Sequence, residues 1–313
     1  MAMEASEKIR TRRVQRLGTS SLVVTLPKEW VRRVGLKPGD MVMIVIEGNS
    51  VRVIPAGAGE VGGVLEVDAS KLPVGVSKLI SCAYVMRVDA VRVRGLDWRG
   101  ALEARSAASR LMGVDVASTG DGVEVRMILD DTRVTVEEIL EGVVQLAVEL
   151  IGLVEKLIEE PSQQLVQLAR EAYNEIVKYE HLAVRKLTGS IPGPEQARVY
   201  AAAILGDVAA DLWTLANMLA SLVETRGRVE AGEAAKKLLG GMAKLLERIP
   251  KARELDELAA LAKEAEALRM DAYRATLDAE KPTDAAIAAT LHHAARYLTA
   301  ALDTLLCNKL MKR

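Results

Sequence analysis

The sequence predicts a multidomain chain: a β-rich N-terminal head, a small α/β middle module, and a C-terminal all-α region of two three-helix bundles. Three observations predict it. The 313 residues exceed one domain of about 100–200 residues. The texture changes twice: short Val- and Ile-rich runs between turn signals up to residue 55, alternating strand-like and helix-like segments over 64–130, and long helical segments from 135 to the end. Charge divides in the same way. Residues 1–55 carry ten Lys/Arg against five Asp/Glu, residues 56–133 ten against eleven, and residues 134–313 twenty-two against twenty-seven. A basic head on an acidic body, in a chain of net charge −1, points to an anionic partner for the head.

In the head, 12–16 is a short basic strand and Gly18-Thr19-Ser20-Ser21 a loop. Residues 22–26 form a β-rich run stopped by Pro27, and 27–34 a short helix closed by Gly35. Lys37-Pro38-Gly39-Asp40 is a turn, 41–46 an apolar strand, Gly48-Asn49 a hairpin signal and 51–54 the last strand. So few short strands bury too little surface to be comfortable alone, and dimerisation is the natural remedy.

Ala56-Gly57-Ala58-Gly59 and Gly62-Gly63 read as a linker. The middle module over 64–130 reads as strand 64–67, helix 76–86, strand 88–93, helix 99–112 capped by Gly113, and strands 114–117 and 123–129. From Thr135, whose spacing to Glu138 suits a capping box, breaks divide the rest into helices 135–159, 162–188, 194–225, 229–248, 251–279 and 283–310. These group as two bundles, about 135–225 and 229–313. Ile204, Val208, Leu212, Leu215, Leu219 and Leu222 form one stripe at helical period.

Composition excludes several chemistries. Two cysteines, Cys82 and Cys307, cannot build a disulfide framework or a four-thiolate zinc site, and they read as small buried hydrophobes. There are three histidines; His292 and His293 are adjacent, and neighbours on a helix point about 100° apart, so they do not share a site. Trp30, Trp98 and Trp213 are too sparse for a base-stacking surface and read as packing residues. No phosphate-binding glycine loop, nucleophile elbow or zinc-protease helix occurs. No continuous apolar run of about 18 residues and no apolar leader is present, so a cytoplasmic, non-enzymatic protein without membrane insertion is expected.

Two sets of residues carry candidate chemistry. Arg10, Arg12, Arg13 and Arg16 run into the first strand, either as a solvated terminus or as a phosphate-contacting surface that a symmetric dimer would double. Asp207 and Asp211 lie four apart on a nearly apolar helix, and Glu171 and Glu175 four apart on the preceding one. Each pair shares a helix face, either facing water or offering oxygen ligands to a divalent or iron-type metal ion.

The ordered set Gly18-Thr19-Ser20-Ser21, Leu22-Val23-Val24-Thr25-Leu26-Pro27-Lys28 and Gly35-Leu36-Lys37-Pro38-Gly39-Asp40 resembles the AbrB/SpoVT family over Arg12 to Pro55. The resemblance implies a swapped-hairpin barrel formed by a homodimer. It also implies contact with duplex DNA through the first strand and following loop: Arg10, Arg12, Arg13, Arg16, Thr19 and Ser20. Such domains also serve as toxin–antitoxin dimerisers and as plain assembly modules.

The helical region, through Ile204-Leu205-Gly206-Asp207-Val208-Ala209-Ala210-Asp211 and Ala294-Ala295-Arg296-Tyr297-Leu298 to Asp303, resembles the PhoU regulators of phosphate uptake. That family implies two three-helix bundles and metal-holding E/D-x-x-x-D motifs. Asp207 and Asp211 fit the spacing, whereas Thr299 and Cys307 flank Asp303 where the second motif would need acids, and Asp271 is likewise alone. The two resemblances together are similar to archaeal phosphate-uptake regulators. They imply a transcriptional regulator that senses phosphate status, through a phosphate transporter ATPase or a phosphate-sensing protein. The alternative is a dimeric adaptor that binds such a transporter or sensor without binding DNA. A di-iron-type enzyme is a third reading, against which stands the absence of Glu-x-x-His pairs.

Overall fold

A computed structural model describes residues 11–19, 21–47, 50–55, 63–131, 133–189, 195–224 and 232–311. It divides into two compact units, Met1–Glu60 and Val61–Arg313.

In the first unit β1 (Gln15–Leu17) pairs antiparallel with β2 (Ser21–Val23), with Arg16 opposite Leu22. The turn between them carries Gly18 at φ +69°, a conformation that favours glycine. The expected second strand is cut short: its pairing ends at Val23, well before Pro27. Helix α1 (Lys28–Val34) closes at Gly35, φ +71°, whose N–H bonds the Arg32 carbonyl while that of Leu36 bonds Val31. Strands β3 (Val42–Glu47) and β4 (Ser50–Pro55) form a hairpin in which Glu47 faces Ser50. Its tip, Gly48-Asn49, lies outside the described residues, as does most of the expected linker, residues 56–62. Among the described residues the head has pattern with almost no buried core. Leu17, Leu22, Val24, Met41, Ile44 and Val51 are each more than half exposed, and among the described residues of the head only Pro55 is buried.

The second unit begins with a four-stranded sheet ordered β5-β6-β8-β7. β5 (Val64–Asp68) runs parallel to β6 (Ala90–Arg94) through the crossover helix α2 (Val76–Val85). Helix α3 (Trp98–Ala108) leads to the hairpin β7 (Val114–Thr119) and β8 (Gly122–Met127), which pairs antiparallel with β6. α2 and α3 cover the inner face: Ile80, Tyr84, Val91, Val93, Ala104, Val123 and Val125 form its core. Arg92 instead bonds Glu124 and Glu66 across the strands, as alternation along a strand requires. α3 ends at Ala108, earlier than expected; Gly113 stands beyond the following turn at φ +65°, where a Cβ would come within 2.5 Å of that of Leu129.

Six long helices follow: α4 (Val136–Glu159), α5 (Gln163–Gly189), α6 (Gln196–Glu224), α7 (Gly232–Arg248), α8 (Leu255–Leu277) and α9 (Pro282–Leu310). The capping box at the start of α4 is formed: Thr135 Oγ1 accepts from Glu138 N at 3.1 Å, and Glu138 Oε2 from Thr135 N at 2.7 Å. α4, α5 and α6 pack on one another, α8 packs along α9, and α6 lies against α9. One continuous apolar core runs from Val136 to Leu305. α6 is its centre, with Ala201, Leu205, Val208, Ala209, Leu212, Leu215, Ala216 and Leu219 all fully buried. By length and hydropathy Gln196–Ser221 would also suit a membrane span, yet more than half of that stretch is buried inside this core.

The middle module and the helical body belong to one compact unit, and α2 packs on α5. Their seam holds Asp131, which receives Nη1 and Nη2 of Arg87 at 2.8 and 3.0 Å and faces Nε of Arg185 at 3.3 Å. Arg87 is left-handed at φ +62°, the sole described non-glycine residue with positive φ.

Candidate nucleic-acid interface and carboxylate cluster

Arg12, Arg13 and Arg16 are exposed along the start of the head. Arg16 Nη2 donates to the Thr19 carbonyl at 3.2 Å, so one guanidinium edge braces the β1–β2 turn while the others stay open. Arg12 Nη1 donates to its neighbour's carbonyl, that of Thr11, at 3.1 Å, and Arg13 has no side-chain partner among the described residues. Arg10 and Ser20 lie outside the described residues. Lys28 and Arg32 on α1 are exposed cations as well; no basic run marks them in the sequence, because they sit in an amphipathic turn. Guanidinium groups on a hairpin and on the extended segment leading into it, with no carboxylate partner among the described residues, are suited to phosphate oxygens, which fix register without reading bases.

The carboxylates assemble differently from the sequence expectation. Asp207 and Asp211 are brought together on α6, each with its pKa raised first by burial; Asp211 raises that of Asp207 further. Glu171 and Glu175 stay on their own helix. Glu171 accepts from Gln167 at 2.8 Å and Glu175 pairs with Lys178 at 2.6 Å. The carboxylate of α5 that meets α6 is Glu180, whose pKa is pushed up to about 7 by burial and then by Asp207. It fits because residue 206 is glycine: a Cβ there would stand 2.9 Å from Glu180 Oε2. Asp211 has a different neighbour. His293 Nδ1 donates to Asp211 Oδ2 at 2.8 Å, and Arg296 Nη2 donates to His293 Nε2 at 2.9 Å. An arginine only donates and a carboxylate only accepts, so the contacts assign His293 the Nδ1–H tautomer. The chain Arg296–His293–Asp211 carries positive charge from α9 towards α6. His292 points elsewhere, its Nδ1 3.1 Å from the Arg269 carbonyl.

Sequence spacing could not find Glu180 or His293, because the pairing of each is between helices. Among the described residues no three His, Cys, Asp or Glu side chains are grouped so as to hold an ion.

Two packing expectations are corrected. Cys82 and Cys307 are both exposed: the buried stripe of α2 runs through Val76, Ile80, Ala83 and Tyr84, and that of α9 through Leu298, Ala301, Leu302 and Leu305, which leaves each cysteine on the outer face. Trp98 is 71% exposed, with the Arg99 guanidinium 5.2 Å over its ring. Trp213 does pack, stacked on Tyr173 at 5.9 Å.

Comparison with known proteins speaks to the head. The family model described as antidote-toxin recognition MazE, bacterial antitoxin, matches residues 15–60. No curated protein matches the chain. No solved structure matches it either. Residues 15–60 are therefore similar to an antitoxin-type domain, and a mostly helical body follows them.

Proposed function

We propose that the protein is a non-enzymatic, dimeric, DNA-binding regulator. The observation that carries the reading is the state of the head: every described apolar side chain before Pro55 is at least partly exposed, while Arg12 and Arg13, just before β1, and Arg16 within it stand open to solvent. A lone copy leaves that apolar surface wet at about 25 cal/mol per Å². A second copy would cover it and double the arginines into one basic surface. Duplex DNA, a regular array of phosphates, is the partner such a surface suits. The match to an antitoxin family over residues 15–60 supports both steps.

The helical body is proposed as the part that receives the signal. Its likeness in sequence pattern to PhoU proteins makes phosphate status that signal, delivered through a transporter ATPase or a phosphate-sensing protein. A second reading has its own support: the matching family is described by toxin recognition, so the head could serve as a dimeriser and protein-binding module, making the chain an adaptor. Mobility shift of duplex DNA from the gene's own upstream region, over a salt series and beside an unrelated duplex, separates the two. A regulator retards its own region preferentially and loses affinity steeply with salt; an adaptor retards neither. Reporter expression from that region in phosphate-replete and phosphate-starved cells tests the signal.

A further inference from the structure

A cavity of about 420 Å³ opens where α2 meets α5. Ser77, Lys78 and Ser81 of α2 line one wall; Glu103 of α3 and Arg110, two residues beyond α3, line another; His181 of α5 lines the third. The wall chemistry is unbalanced. Lys78 and Arg110 form no side-chain hydrogen bond or ion pair among the described residues. Glu103 is the one carboxylate lining the cavity, and it is committed: its Oε1 accepts from Ser77 N at 3.2 Å. His181 Nδ1 lies 2.8 Å from the Val177 carbonyl, which can only accept, so Nδ1 carries the hydrogen and Nε2 is left over. Burial first, and then the positive charges of Arg110 and Lys78, push the His181 pKa down. Lys78 and Arg110 thus share one field beside a neutral His181, and Glu103, already bonded to the Ser77 amide, is the one carboxylate that faces it.

We propose that this cavity binds a small phosphorylated molecule, its phosphoryl oxygens held by Lys78 and Arg110 with the Ser77 and Ser81 hydroxyls as neutral donors, while the unprotonated His181 Nε2 can accept from a hydroxyl of the ligand. Two full cations and two hydroxyls suit the several oxygens of a phosphoryl group better than the two of a carboxylate. The cavity is several times larger than one phosphate group, which leaves room for the rest of a metabolite. Glu103 occupies the α2 amide that such an anion would compete for, so ligand and carboxylate oppose each other. The site joins the α/β module to the helical body, so occupancy would tighten the contact of α2 with α5. The inference goes beyond the reading of the head and does not depend on DNA binding.

The test uses the full chain in a phosphate-free buffer without DNA. Inorganic phosphate and AMP are the probes, with sodium chloride at matched ionic strength as control, read by thermal shift and titration calorimetry. Wild type should gain Tm with at least one probe and none with chloride. Lys78→Ala with Arg110→Ala should weaken that binding at least about tenfold, the loss expected for charged hydrogen bonds. Glu103→Gln keeps an acceptor for Ser77 N but removes the competing charge, so it should strengthen binding severalfold. Both substituted cations are exposed, and an unchanged helical circular dichroism spectrum checks the fold. Equal binding by wild type and the double variant overturns the proposal, as does weaker binding by Glu103→Gln. So does the absence of any response by wild type up to about 10 mM of either probe, a concentration beyond ordinary effector affinities.

Discussion

The Arg185 guanidinium lies 5.0 Å over the ring of Tyr84, and its Nη1 donates to the Tyr84 carbonyl at 2.6 Å. These residues are 101 positions apart, one in the middle module and one in the helical body. Arg185 is 6% exposed and Asp131, facing its Nε, 4%. Burying them together is tolerable because Arg87 completes the set: two guanidinium groups around one carboxylate, with the Tyr84 carbonyl taking Nη1 of Arg185 and the Arg185 carbonyl taking Nη1 of Arg87, although Nε of Arg185 makes no hydrogen bond among the described residues. Burial also pushes the Tyr84 hydroxyl up to about 12, so the ring stays neutral beneath the cation.

Removing Arg185 should therefore loosen the seam. Arg185→Met keeps much of the volume but leaves Asp131 buried with Arg87 alone. We expect a loss of about 3 kcal/mol in urea unfolding, at the low end for a broken buried ion pair, and faster hydrogen exchange in α2 than in α4. An effect under about 0.5 kcal/mol, the range of an ordinary surface change, would show that the seam does not depend on this contact.

The raised pKa of Glu180 sets a pH dependence. Its carboxyl titrates near 7 in the fold against 4.5 when free. Between those values the native state holds a proton that the unfolded chain has released, so stability falls as pH rises from about 4.5 to about 7. The full effect is about 3 kcal/mol. Glu180→Gln should match wild type near pH 4.5 and exceed it near pH 8, measured by urea unfolding with a chelator present. Identical slopes for the two proteins would show that Glu180 is not the titrating group.

Cations provide a separate check on the same cluster. With His293, Arg296 and the Glu180 proton relieving the carboxylates, Mg²⁺, Mn²⁺ or Fe²⁺ should leave the wild-type Tm unchanged. A rise in Tm that Asp207→Asn with Asp211→Asn abolishes would instead place an ion on those two residues.

The head should determine assembly. Ile44 and Val51 are each at least 60% exposed in a single copy. Ile44→Asp with Val51→Asp should convert a dimer to a monomer at micromolar concentration in sedimentation equilibrium. Residues 61–313, one compact unit with its own core, should stay folded when expressed alone. A wild-type monomer with a stable folded head would contradict the shared-core reading.

Legibility differs by length scale. The six helices of the body are readable to within four residues at either end, because each is a long apolar-periodic run bounded by Pro, Gly or a cap such as Thr135 with Glu138. The four strands of the middle module are readable from their Val alternation. What one sequence hides are pairings made only in three dimensions. Gly206 and Glu180 belong to different helices, as do Asp211 and His293, and no local spacing links them. The cysteines depart from expectation for a related reason: residue type suggests burial, but helical phase decides it.

The central claim is that the head grips DNA through its arginines, and the salt dependence of binding tests it most directly. Affinity of the wild-type chain for duplex DNA from its own upstream region should fall linearly in log–log form as salt rises. Arg12→Ala with Arg13→Ala should weaken binding and flatten that slope by about 0.9 for each phosphate no longer neutralised, roughly 1.8 per head if both arginines touch phosphate. Both side chains are exposed, so the circular dichroism spectrum should not change. A slope that stays the same in the double variant, with binding otherwise intact, would contradict the claim.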